Sequence, residues 1–279
     1  MKKTKSCRIC RYYELDENFC AVAPDYIGKA HLCDDFELAI ELDEEEEPID
    51  LRRFIYEQFS KDYLEKLLSP YGKIEVERTF TISPRRDIDL WFAPSVSELP
   101  KELGLLARLA KTRVLFEPYH HPVTSDEITA SMIKLLEVQG EFHRAAERET
   151  LQWNESDLPW LWILTPTISE ETLTGFGAEE STEEETGIYF LPPAMLTGLV
   201  VIDELPHNNK TLWLRLLGRE KVRHQALLEL VALPAHHSLR SVSLGLLYNF
   251  LAQLEALPEK NDEERLLREL LVPLRGIKN

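Results

Sequence analysis

The sequence predicts an α/β domain with a helical tail and a small cysteine-bearing head. Three observations carry that prediction. Apolar residues recur at helical spacing over 50–68, three alternating or apolar runs follow, and a capping pattern opens a long helix before a fourth apolar run.

Asp50 suits the N-terminus of a first helix reaching about Leu68, in which Phe54, Ile55, Phe59, Tyr63 and Leu67 share one side. Ser69-Pro70-Tyr71-Gly72 stops it. In the next run Ile74, Val76, Phe80 and Ile82 fall on one strand face, with Arg78 the exception, and Ser83-Pro84-Arg85-Arg86 supplies a turn. A second strand sets Ile88, Leu90 and Phe92 against Asp87, Asp89 and Trp91, so the two runs read as a hairpin.

A short helix over about Lys101–Ala110 leads to a third strand at Arg113–Glu117. Thr124-Ser125-Asp126-Glu127 is a capping box, opening a helix towards Arg148. The fourth strand, Trp160–Thr165, is apolar almost throughout, as a strand covered on both faces must be. Gly187–Leu191 and Gly198–Ile202 are further candidate strands. From about Thr211 to Leu271 the chain reads as Leu-rich helices broken near Pro234 and Pro258. Trp160, Trp162 and Trp213 read as core.

The expected organisation is a four-cysteine module at 1–36, an acidic linker at 37–49, an α/β domain at 50–205 and a helical C-terminal extension at 206–279. The formal net charge of -17 is localised. Ten acidic residues and no basic ones lie between Asp34 and Asp50, and Glu179, Glu180, Glu183, Glu184 and Glu185 form a second cluster that reads as a solvated loop. Setting those 15 aside leaves 34 acidic residues against 32 basic ones, so any face for a polyanion must be local. No run approaches the ~18 consecutive apolar residues of a transmembrane helix. Polar residues follow Lys2, Lys3 and Lys5 where a signal peptide places its apolar region. The expectation is a cytoplasmic protein with no membrane partner.

Several chemistries drop out. There is no Gly-x-Ser-x-Gly elbow, and no cysteine follows Cys33 to act as a nucleophile in the main domain. Gly175-Phe176-Gly177 lacks the strand–glycine–helix setting of a phosphate loop. His120 and His121, beside Pro122, read as loop residues, and His236-His237 as capping groups before a helix.

What remains is acidic. Phosphodiester cleavage needs carboxylates to hold a divalent ion, and a base or cation to orient water and offset developing charge. Asp89 on the second strand and Glu117 on the third are both flanked by apolar residues, and Glu57 on the first helix, then Asp62, is the candidate third acid. The order helix–strand–strand–strand–helix–strand with these acids resembles the PD-(D/E)XK nuclease core. The resemblance implies Mg²⁺ or Mn²⁺ on Asp89 and Glu117, with Glu57 in support. It also implies a lysine two residues after Glu117, where this chain has Tyr119. Some members of the superfamily carry that lysine on the following helix, and Lys134 is the residue there. Two expectations follow: a nuclease using Lys134, or a non-catalytic fold that binds nucleic acid or a protein partner through the cysteine module or the C-terminal helices.

Phe54–Leu64, Asp87–Phe92, Phe116-Glu117-Pro118, Leu161–Pro166 and Leu212–Arg215 also resemble an uncharacterised family abundant in cyanobacteria, itself similar to the recombination-promoting nuclease and transposase group.

Cys7, Cys10, Cys20 and Cys33 fall within 27 positions, and Cys7-x-x-Cys10 is a metal knuckle. A segment this short needs a metal to fold. Structural zinc is the first expectation, with an iron–sulfur cluster or redox thiols as the others. Arg8, Arg11, Lys29, Tyr12, Tyr13 and Tyr26 either cover the metal or meet a partner.

Overall fold

The computed structural model describes residues 13–14, 19–20, 51–80, 86–149, 158–182, 185–255 and 267–268. Among these, Tyr13–Glu14 (β1) and Phe19–Cys20 (β2) form a short antiparallel ladder with Tyr13 opposite Cys20. Cys7, Cys10 and Cys33, the linker at 37–49 and the Asp50 cap lie outside the described residues.

The chain divides into two compact units, Ser60–Arg240 and a second that takes in the chain up to Phe59 and from Ser241 onward. In the second, Phe250 stacks on Phe59 with ring centroids 4.3 Å apart and meets Tyr56 edge-on at 5.0 Å. Aromatic pairs of this kind add to simple area burial.

The first helix runs over Leu51–Leu68 (α1) and ends in a 3₁₀ turn at Ser69–Tyr71, where Pro70 removes a donor. Gly72–Phe80 (β3) and Arg86–Pro94 (β4) form the expected hairpin, pairing Ile74 with Phe92 and Val76 with Leu90. The helix expected over 101–110 is split. Gly104 has φ +57°, which separates a 3₁₀ turn at Lys101–Leu103 from Leu105–Leu109 (α2).

Val114–Pro118 (β5) follows, buried along its whole length, then Ser125–Glu149 (α3) and Trp160–Thr165 (β6). The capping box is present: the Thr124 amide donates to Glu127 Oε2 at 2.9 Å, and the Glu127 amide donates to Thr124 Oγ1 at 3.3 Å. Glu170–Gly175 (α4) has no counterpart in the sequence reading. Nor does Glu179–Glu180 (β7), a short strand where a loop was expected, though both glutamates are exposed as expected. Glu185 in the same stretch lies 3.6 Å from Arg108 and 3.5 Å from Lys210, so this acidity is partly paired. Ile188–Phe190 (β8) and Thr197–Val201 (β9) are the further strands.

The fold is mixed α/β, with a seven-stranded sheet ordered β3-β4-β5-β6-β9-β8-β7. The β5–β6 and β6–β9 neighbours are parallel and the other four pairs antiparallel. β5 and β9 are buried end to end because helices cover the middle of the sheet. On one face Trp91, Leu115, Leu161, Ile163 and Leu199 cluster with Ile128, Leu135 and Val138 of α3. On the other, Trp162 donates its indole N–H to the Leu109 carbonyl of α2 at 3.0 Å. Gly198 makes room for that tryptophan, since a Cβ there would lie 2.1 Å from its ring. Trp160, expected in the core, is only half-buried, its ring stacked 6.1 Å from Trp162.

The tail contributes Leu212–Arg215 (α5), Glu220–Ala232 (α6) and Ser238–Glu255 (α7). His237 caps α7 as expected, its Nδ1 accepting from the Leu239 amide at 3.3 Å. Among the described residues, no helix is long and apolar enough to cross a membrane.

Candidate active site

Strand pairing sets the acidic pair. β4 and β5 are in register at Leu90–Phe116, so Asp89 and Glu117 stand one residue further along adjacent strands. Odd-numbered β4 residues and Leu115 share the sheet face that α3 covers, so both acids point towards that helix. Glu117 is 1% exposed. Its Oε1 accepts from the Asp89 amide at 3.3 Å, and its Oε2 lies 2.7 Å from Lys134 Nζ. Lys134 sits on α3, and Leu135 and Val138 anchor its side of the helix in the core.

Burial raises the Glu117 carboxyl to about 7, and the Asp89 charge pushes in the same direction. Lys134, by charge and hydrogen bond, and the Asp89 amide pull the other way without cancelling it. Such a carboxyl exchanges its proton near neutrality, unlike an ordinary surface glutamate.

A carboxyl whose folded pKa lies above its unfolded value of 4.5 binds more protons folded than unfolded between about pH 4.5 and 7. Stability from this group is therefore lost as pH rises through that window. Glu117→Gln is expected to raise the unfolding free energy above wild type at pH 8 by about 3 kcal/mol at most, read from urea unfolding. The two proteins should converge near pH 4.5. A variant less stable than wild type at pH 8 would show that Glu117 carries no such penalty.

Asp89 has a second partner that the sequence reading missed. Lys61 Nζ of α1 lies 2.7 Å from Asp89 Oδ1, with the two side chains 14% and 27% exposed. The signal was the placement of Lys61 in the first helix, one residue before Asp62, but charge alone does not say which lysine of a helix turns inward.

No protein-family model, curated protein or solved structure matches this chain.

Tyr119, at the position the strand lysine would hold, packs its hydroxyl against α3. Its hydroxyl lies 3.0 Å from the Ser131 hydroxyl and 3.5 Å from the Glu127 carbonyl. Burial drives its pKa far above the usual tyrosine value, the Ser131 hydrogen bond pulling the other way, so it stays a neutral phenol. Ser131 is fully buried and one turn before Lys134.

The structure brings Asp89, Glu117 and Lys134 together. Glu57, the expected third acid, pairs with Arg53 one helical turn away at 2.8 Å. His121 is a loop residue, its Nδ1 3.0 Å from the Pro122 carbonyl and its Nε2 3.4 Å from Glu127 Oε1. The His120 ring packs edge-on against that of His121 at 5.1 Å.

Proposed function

We propose that this protein is a metal-dependent phosphodiesterase of the PD-(D/E)XK type that cleaves nucleic acid. The observation that carries the reading is Lys134 Nζ at 2.7 Å from a buried Glu117 carboxylate whose other oxygen meets the Asp89 backbone. Two strand acids and a cation from the following helix thus meet at one point. The element order supports the same reading: α1, then the antiparallel β3-β4-β5 meander, then α3 and a β6 parallel to β5.

The donor set fits a hard divalent cation, which favours carboxylate oxygens. Asp89 and Glu117 would hold Mg²⁺ or Mn²⁺, and the ion would supply Lewis-acid activation of the phosphate and charge neutralisation. Lys134 stands where a cation can orient the attacking water and offset charge on the phosphate oxygens. The long burial around Glu117 keeps bulk water from screening that charge.

A non-catalytic nucleic-acid-binding or scaffold protein is the second reading. The Lys61–Asp89 ion pair favours it, since it neutralises an acid the chemistry needs. We likewise propose one structural zinc on Cys7, Cys10, Cys20 and Cys33, on the strength of their clustering in the sequence. One zinc per chain by metal analysis supports it, and bound iron with visible absorption overturns it.

The test is cleavage of supercoiled plasmid and of a single-stranded oligonucleotide with Mg²⁺ or Mn²⁺, comparing wild type with Asp89→Ala. Cleavage by the wild type that disappears in the variant supports the nuclease. Absence of cleavage by folded wild type with either ion and either substrate sinks it in favour of the binding protein.

A further inference from the structure

Two polar contacts lie side by side between β5 and α3: Glu117 with Lys134 at 2.7 Å, and Tyr119 with Ser131 at 3.0 Å. Glu117 and Tyr119 are two residues apart and share a side of the strand run. The Tyr119 amide prolongs the β5–β6 pairing by donating to the Leu164 carbonyl at 2.7 Å. Ser131 and Lys134 are three residues apart and share a side of the helix. The strand advances as the helix runs back, so the contacts form adjacent rungs. Both Glu117 and Ser131 are buried.

The hydrogen bonds of the second rung have a direction. Ser131 gives its proton to the Glu127 carbonyl, one turn earlier, at 2.9 Å, which leaves its oxygen to accept from the Tyr119 phenol. The apolar contacts of α3 do a different job. Ile128, Leu135 and Val138 hold the helix against the sheet, but burial of apolar area is non-directional and sets the helix's distance more than its rotation. A hydrogen bond is angle-dependent and does set rotation. The rotation decides where the ammonium of Lys134, at the end of a flexible four-carbon stem, arrives.

We infer that Tyr119 is a positioning residue for the proposed reaction: through Ser131 its hydroxyl fixes the rotation of α3 at which Lys134 reaches Glu117. This rests on the nuclease reading and deepens it, giving a role to the residue that stands where the strand lysine was expected.

The experiment follows Mn²⁺-dependent cleavage of supercoiled plasmid by the full chain. It compares wild type, Tyr119→Phe, Ser131→Ala and Lys134→Ala, and combines Tyr119→Phe with each of the other two. Phenylalanine keeps the ring and alanine suits a helix interior, and circular dichroism reports the fold of each variant. Tyr119→Phe and Ser131→Ala are each expected to lower kcat about tenfold or more with KM nearly unchanged, since a small displacement of a reacting group is costly. They remove one bond from opposite ends, so either variant decides the result if the other folds poorly. Together they should lose no more than one alone. In the Lys134→Ala background, Tyr119→Phe should change kcat by less than about twofold, because no ammonium is left to misplace. An equal loss in both backgrounds marks a general structural role and overturns the positioning one, as does wild-type kcat in the folded single variants. The nuclease reading survives either result. Absence of cleavage by wild type overturns both.

Discussion

Replacing Arg215 with alanine is expected to destabilise the protein by about 3–5 kcal/mol, read as a fall in the urea midpoint with little change in slope. Arg215 is fully buried at the end of the four-residue α5. Its Nε donates to Thr211 Oγ1 at 3.0 Å, Nη1 to Glu229 Oε1 at 3.0 Å and Nη2 to the Asn208 carbonyl at 2.9 Å, with a second Nη2 bond to Glu229 Oε2. One guanidinium therefore ties the 206–211 loop and α5 to α6. Alanine would take the arginine fork from the Glu229 carboxylate, remove one of the donors to the Asn208 carbonyl and leave a void. Lysine cannot replace the planar fork and should cost nearly as much.

Burial alone would raise the Glu229 carboxyl, but the hydrogen bonds and charge of Arg215 outweigh it and hold it below the usual range. The stabilisation from this carboxylate is complete above the unfolded value of 4.5 and is lost as pH falls through the lowered folded value. Removing both partners together, as Arg215→Met with Glu229→Gln, should cost less than the sum of the single changes. An alanine variant as stable as wild type would show that the buried arginine contributes nothing.

On the proposed nuclease reading, Lys134→Ala is expected to lower metal-dependent cleavage by at least about 100-fold, the scale of losing one charge-stabilising group in a water-poor site. The loss should appear in kcat with KM nearly unchanged, because the ammonium acts on charge that develops only in the transition state. Lys134→Arg keeps a cation but moves its donors, and should recover part of the loss. Full activity in the alanine variant would remove Lys134 from the chemistry.

Much of the sheet was readable from residue order because its strands are covered on both faces. Trp160–Thr165 is continuous apolar sequence, and its predicted bounds match the strand. The hairpin before it was readable from alternation broken only at Arg78. What escaped was short or polar. The six residues of α4 carry almost no apolar periodicity, and Glu179–Glu180 is an acidic pair that gains strand geometry only from β8. Gly104 was visible as a glycine but not as a residue at positive φ, which depends on how α2 meets the Lys210 carbonyl, an acceptor for the Leu105 amide at 2.7 Å.

The acids of the site could be chosen from sequence because carboxylates are rare amid apolar strand residues. Lys134 was reached through the resemblance, not through the phase of α3, which spacing alone leaves to within a turn. Lys61 was beyond reach for the same reason: a helix lysine is ordinarily solvated, and only the tertiary pairing of α1 with β4 distinguishes it.

The hydroxyl of Tyr119 against Ser131 has a mechanical meaning. A lysine on β5 would be aimed by the pleat of its own strand, whereas an ammonium on α3 is only as well placed as the helix is seated. Tyr119 bolts that helix to the strand bearing Glu117, three residues from where Lys134 departs. Tyr119 thus acts as the dowel that registers the helix carrying Lys134. A pH or denaturant stress that unseats α3 would disarm the site while the sheet beneath it still stands.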